Sequence, residues 1–109
     1  MTIEEAVQAF LEEEDERVVR PVLDRIARVL AGFLEYSRSR GVTEAGGLSL
    51  DHVEGFLRGG PPARRTADLS DALHSVKQFL KWLQWRKQAP KLYDEFCARQ
   101  SYLKGELAK

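Results

Sequence analysis

On a wheel of about 100° per residue, His74, Gln78, Lys81 and Trp85 share one side of a helix, flanked by Ser70 and Lys77. These residue types have the chemistry to hold duplex DNA. Lysine ammonium groups contact phosphates. A glutamine amide pairs bidentately with adenine, and a helix fits the major groove. Arg64 and Arg65 come just before this stripe, where backbone amides at a helix start already favour anions. Arg25 and Arg28 lie on the polar side of an earlier helix and are placed to form a second jaw. The plain alternative is a solvated outer face, which every surface helix needs.

Phe79, Trp82 and Trp85 step away from the apolar side of the same helix. Three large aromatics there need a cover. The last helix offers one through Tyr93 and Phe96. A partner chain offers another, because Trp and Tyr are enriched at interface cores. Trp85 lies furthest round the wheel and is the best single candidate for an interface anchor.

Other chemistries find little footing. His52, His74 and the single Cys97 lack metal-ligand spacing, so no metal or cofactor is expected. Asp68 and Asp71 share a face without an acid–base partner. Gly59-Gly60-Pro61-Pro62 lacks the Lys-Ser/Thr of a phosphate loop. Cys97 follows Phe96 on a helix and reads as packed rather than reactive.

The elements that carry these residues all read as helices. Thr2 with Glu5 forms a capping box, and Ile3, Ala6, Val7, Phe10 and Leu11 then recur at helical spacing. This predicts a first helix ending near Asp15. A second stripe runs Val19, Val22, Leu23, Ile26, Val29, Leu30, Phe33 and Leu34. Pro21 fits only its first turn, and Gly41 is placed to stop it in the left-handed conformation. Ser49 is a natural N-cap for a short third helix with Val53, Phe56 and Leu57. The fourth helix opens near Thr66 or Asp68 and carries Leu69, Ala72, Leu73, Val76, Leu80 and Leu83. Pro90 interrupts it. A fifth helix follows with Leu92, Phe96, Leu103 and Leu107 at looser spacing. No strand alternation is present, so the expected fold is all-α, a small orthogonal bundle of four to five helices in one domain.

The 109 residues are enough for one core, and the formal net charge is zero. That zero conceals an asymmetry. Residues 1–16 hold seven acids and no base, while residues 17–109 hold 17 bases against ten acids, a net of +7. A basic body with an acidic leader can still bind a polyanion. No apolar run approaches the roughly 18–20 residues that span a bilayer, so no membrane partner is expected. One cysteine excludes an internal disulfide and fits a reducing, cytoplasmic setting.

Taken in order, residues 9–90 resemble the N-terminal core-binding (SAM-like) domain of tyrosine recombinases of the phage-integrase type. Phe10-Leu11 is similar to that family's opening Phe-Leu. Phe33-Leu34, Tyr36 and Gly41-Val42 are similar to the aromatic end and glycine stop of its second helix. Leu48-Ser49, Asp51, Val53 and Phe56-Leu57 match its third. Leu73, Val76, Lys77, Phe79, Leu80, Trp82 and Leu83 match its fourth, and Ala89-Pro90 stands where the family has Asn-Pro. The chain departs from the pattern at Val22 and Ile26, where the family carries Thr and Tyr, and at Asp71 and Ala72, where it carries a basic pair facing DNA.

The resemblance implies a non-catalytic clamp on duplex DNA, with Arg25, Arg28, Arg64, Arg65, His74, Lys77, Gln78 and Lys81 as contacts. Recombination chemistry would belong to a separate C-terminal domain, expected where this chain stops. On that reading the domain comprises an acidic N-terminal helix (1–16), a core-binding-like bundle (17–90) and a C-terminal helix (91–109). It is not an enzyme. The competing expectation is a helical protein–protein interaction domain, a homodimer included, that uses Phe79, Trp82 and Trp85.

Overall fold

Thr2 accepts a hydrogen bond from the Glu5 amide, and Glu5 accepts one from the Thr2 amide, so the chain enters helix at once. The computed structural model describes residues 1–59 and 66–107, with side chains for 1–58 and 71–99. Among the described residues, five helices fold into a small all-α bundle: α1 (Ile3–Asp15), α2 (Arg20–Ser39), α3 (Leu50–Gly59), α4 (Thr66–Trp85) and α5 (Leu92–Leu107). A 3-10 turn, Ala45–Gly47, precedes α3. Among the described residues, the β-structure is one isolated bridge between Thr2 and Glu44. Around it the Ile3 amide donates to the Thr43 carbonyl at 2.8 Å and the Ala45 amide to the Met1 carbonyl at 3.0 Å. These bonds pin the start of α1 to the α2–α3 connection.

The acidic leader is therefore part of the core. Ile3, Ala6, Val7 and Phe10 are buried on one side of α1, and its carboxylates lie mostly on the other. Pro21 sits in the first turn of α2, where its missing amide costs no hydrogen bond. Val19 is the N-cap and is 67% exposed, so the α2 stripe begins at Leu23, with Val22 packed at its edge. Helix α2 ends as the glycine predicts. Gly41 takes φ +74°, its amide bonds the Arg38 carbonyl, and the Val42 amide bonds the Ser37 carbonyl. Together these make a Schellman stop.

Helix α4 ends in the same way on a residue the sequence does not advertise. Lys87 holds φ +59°, its amide bonds Gln84, and the Gln88 amide bonds Leu83. A left-handed non-glycine residue costs about 1–2 kcal/mol. Lys87→Gly is therefore expected to raise the unfolding free energy by roughly 0.5–1 kcal/mol, after subtracting glycine's extra freedom when unfolded. Urea denaturation measures this directly.

An aromatic chain holds the helices together. Phe33 of α2 meets Phe56 of α3 at 5.2 Å and Phe79 of α4 at 6.3 Å, and Phe79 meets Phe10 of α1 at 5.6 Å, all edge-on. Phe10 also meets Trp82 at 6.1 Å. Such pairs add about 0.5–1.5 kcal/mol each beyond the area they bury.

Helix α5 has the weakest apolar spacing and is fastened by charge. Arg99 donates twice to the buried Glu54 of α3, at 3.0 and 2.9 Å, and Arg58 adds a third contact at 3.1 Å. A bidentate guanidinium–carboxylate pair fixes direction as well as distance. It sets α5 against α3 where hydrophobic periodicity alone would not. On α3 itself, Gly55 leaves room for Tyr36, since a Cβ there would meet the Tyr36 hydroxyl oxygen at 2.5 Å.

Candidate nucleic-acid interface

Helix α4 buries Ala72, Leu73, Val76, Phe79, Leu80, Trp82 and Leu83. That leaves a narrow outward strip. His74, Lys81 and Trp85 are exposed on it, and Lys77 and Gln78 are half-buried at its sides. Among the described residues, Lys77 and Lys81 form no ion pair, so both ammonium groups are available to an anion.

The arginines divide. Arg25 and Arg28 are exposed on α2, which packs beside α4. Arg25 reaches across to Asp71 at 3.6 Å, so this aspartate has a cation of its own. Arg28 has no ion-pair partner among the described residues. Arg64 and Arg65 lie outside the described residues.

Two of the three expected interface aromatics need correction. Phe79 is 1% exposed and Trp82 is 8% exposed, so neither can meet a partner. The expected cover, Tyr93 and Phe96 of α5, packs in and against the same core, and α4 has a further neighbour at Trp82. That neighbour is helix α1, with Phe10 against the Trp82 ring and Glu13 accepting the indole N–H at 2.7 Å. Trp85 stands out from the strip at 79% exposure, as the wheel predicts.

Where α1 ends beside α4, a cleft of about 600 Å³ opens, lined by Phe10, Trp82 and Trp85 with Gln78, Lys81 and Lys87 at its edges. Two carboxylates also line it, and both are engaged. Glu13 accepts from Trp82 and from Arg86 at 2.6 Å, and Arg86 in turn lies over the Trp82 ring at 5.2 Å. The Trp82 bond, then the Arg86 bond, hold the Glu13 carboxyl below the ordinary carboxylate value of 4.5. Glu14 is buried and pairs with Arg17 at 3.3 Å. Glu12, Asp15 and Glu16 remain exposed at the end of α1.

A second cluster joins α2 to α3. The Ser37 hydroxyl lies 2.8 Å from His52 Nε2, a pairing that nucleophilic catalysis often uses. Here Ser37 is fully buried, and its one proton goes to the Phe33 carbonyl at 2.9 Å. The imidazole must then donate, which makes the contact a strut rather than a nucleophile with its base. His52 also packs on Phe33 and Tyr36, at 5.6 and 5.0 Å.

Burial, and then the positive charge of Arg40, lower the His52 pKa from its ordinary 6.5. A depressed value means that the unfolded chain takes up the proton first. The contribution of neutral His52 to stability is complete above 6.5 and is lost as pH falls through the folded-state value. The urea midpoint is expected to drop between about pH 7.5 and about pH 5, and His52→Gln should flatten that drop. Glu5 and Glu13 are both held below 4.5, so their losses come at lower pH and do not blur the window.

No family model, no curated protein and no solved structure matches this chain. Among the described residues, no group of three or more His, Cys, Asp or Glu could hold a metal ion, and no helix is long and apolar enough to cross a membrane.

Proposed function

We propose that the chain is a non-catalytic DNA-binding module, akin to the core-binding domain of a tyrosine recombinase and acting in the cytoplasm. The observation that carries this is the outward strip of α4. His74, Lys77, Gln78 and Lys81 lie together on one side of a 20-residue helix, with both lysines unpaired among the described residues. Arg28 on the neighbouring α2 adds a cation beside it. The helix approaches the major groove, lysines neutralise phosphates, and Gln78 and His74 face the base edges.

The test is fluorescence anisotropy of a labelled random duplex at two salt concentrations. Neutralising about four phosphates makes binding fall roughly 100-fold between about 50 and about 200 mM salt. Absence of binding at the lower salt rejects the proposal.

Trp85 favours a second reading, a protein–protein module. An indole exposed at 79% beside a cleft is an unusual surface residue and a common interface anchor. With Phe79 and Trp82 internal, that interface would be built on Trp85 and the edges of the cleft. Light scattering tests its homodimer form. A dimer in wild type that becomes a monomer in Trp85→Ala supports it, and a strict monomer removes it.

A further inference from the structure

The α1–α4 cleft lies at the C-terminal end of the same strip. We infer that it receives one unpaired DNA base, stacked on Trp85, from a strand that leaves the duplex held along α4. This rests on the DNA-binding reading and names the kind of DNA it takes: a duplex with a single-stranded extension.

The surface has the two parts that single-strand binding requires, a stacking platform and cations that track the backbone. Trp85 is the platform, with most of its indole in solvent. Lys81 lies one helical turn before it on the same face. Lys87 follows two residues later, and both lysines line the cleft with Gln78. Neither lysine has an ion-pair partner among the described residues. The cleft's two carboxylates do not oppose a phosphate at full strength, because Arg86 and Arg17 already hold them at 2.6 and 3.3 Å. Among the residues that line the cleft, the charges without an ion-pair partner are those of Lys81 and Lys87. A volume of about 600 Å³ open to solvent accommodates a base without moving α1.

The backbone adds an independent hint. The α4 stop places Lys87 in the left-handed region, where glycine would be easier. Strained positions of this kind collect at functional sites. Here the lysine at that position is one of the residues lining the cleft.

The experiment compares two probes on the full chain: a blunt duplex, and the same duplex extended by a short oligo-dT strand. Anisotropy gives affinity, and quenching of tryptophan emission reports stacking. Trp82 also lines the cleft, so the quenching that disappears in Trp85→Ala is the part that reports stacking on Trp85. Wild type is expected to bind the extended probe about tenfold more tightly than the blunt one, as expected for one stacked base. Trp85→Ala should bind both probes alike, and Trp85→Phe should keep most of the preference. Circular dichroism checks the fold, which an exposed side chain hardly affects. Equal affinity of wild type for the two probes overturns the inference and leaves the duplex clamp standing. So does a preference that survives Trp85→Ala. Failure of wild type to bind either probe overturns both.

Discussion

Replacing Lys77 and Lys81 together by glutamate is expected to lower the affinity for a blunt duplex by about 100-fold at low salt. Two phosphate contacts are lost and two repulsions replace them. The salt dependence discriminates better than the affinity. Each lysine that contacts a phosphate contributes about one unit to the slope of log K against log salt. A second variant with glutamine at both positions should therefore reduce that slope by about two without adding repulsion. If the glutamine variant keeps the wild-type slope, these lysines are solvated side chains and α4 is not the DNA face. The exposed side of α4 tolerates either change, because Lys81 makes no ion pair among the described residues and Lys77 is only half-buried.

The acidic end of α1 sharpens this expectation. Seven acids precede the basic body, and the fold places two of them, Glu13 and Glu14, in the same cleft as Lys81. A glutamate at position 81 would join a cleft that already holds Glu13 and Glu14. Wild type pairs both of these carboxylates, Glu13 with Arg86 and Glu14 with Arg17.

The helix boundaries were legible wherever a local rule sets them. The Thr2 capping box, Pro21, Gly41 and Ser49 each act within one turn, and each does what its chemistry requires. The stop at Lys87 was not legible, because a lysine carries no signal for a left-handed backbone. Only the 6→1 and 5→2 bonds at the end of α4 reveal it. The aromatic ladder was half legible. Successive steps of three residues rotate Phe79, Trp82 and Trp85 by about 60° each around α4. A wheel finds the order, with Trp85 outermost, but cannot say how wide the covered arc is. Helix α4 has neighbours on more than one side, with α1, α2 and α5 all packed on it. The covered arc therefore extends past Trp82. Pairings between distant residues left no trace in the sequence. Glu54 finds Arg99 45 positions away, and Ser37 finds His52 15 positions away, so neither could come from periodicity.

The largest effect on stability is expected at Phe33. Its ring is fully buried and touches the rings of Phe56, Phe79 and His52, which joins α2 to α3 and α4 at one point. Phe33→Ala removes those contacts and leaves a cavity that three rigid rings cannot collapse to fill. The cost is about 3–5 kcal/mol. A domain of this size has about 5–15 kcal/mol in total, so the variant is expected to be marginal at best. Each kcal/mol moves the melting temperature by roughly 4–8 °C, which makes the change unmistakable in a thermal melt. Phe33→Leu keeps most of the volume and should cost much less, about 1.5 kcal/mol or under. The contrast between the two tests the aromatic chain itself. Equal small losses would mean that α2, α3 and α4 are held by their aliphatic contacts, such as Leu30, Leu73 and Leu80. A large loss in alanine alone would place the junction of the bundle at this ring.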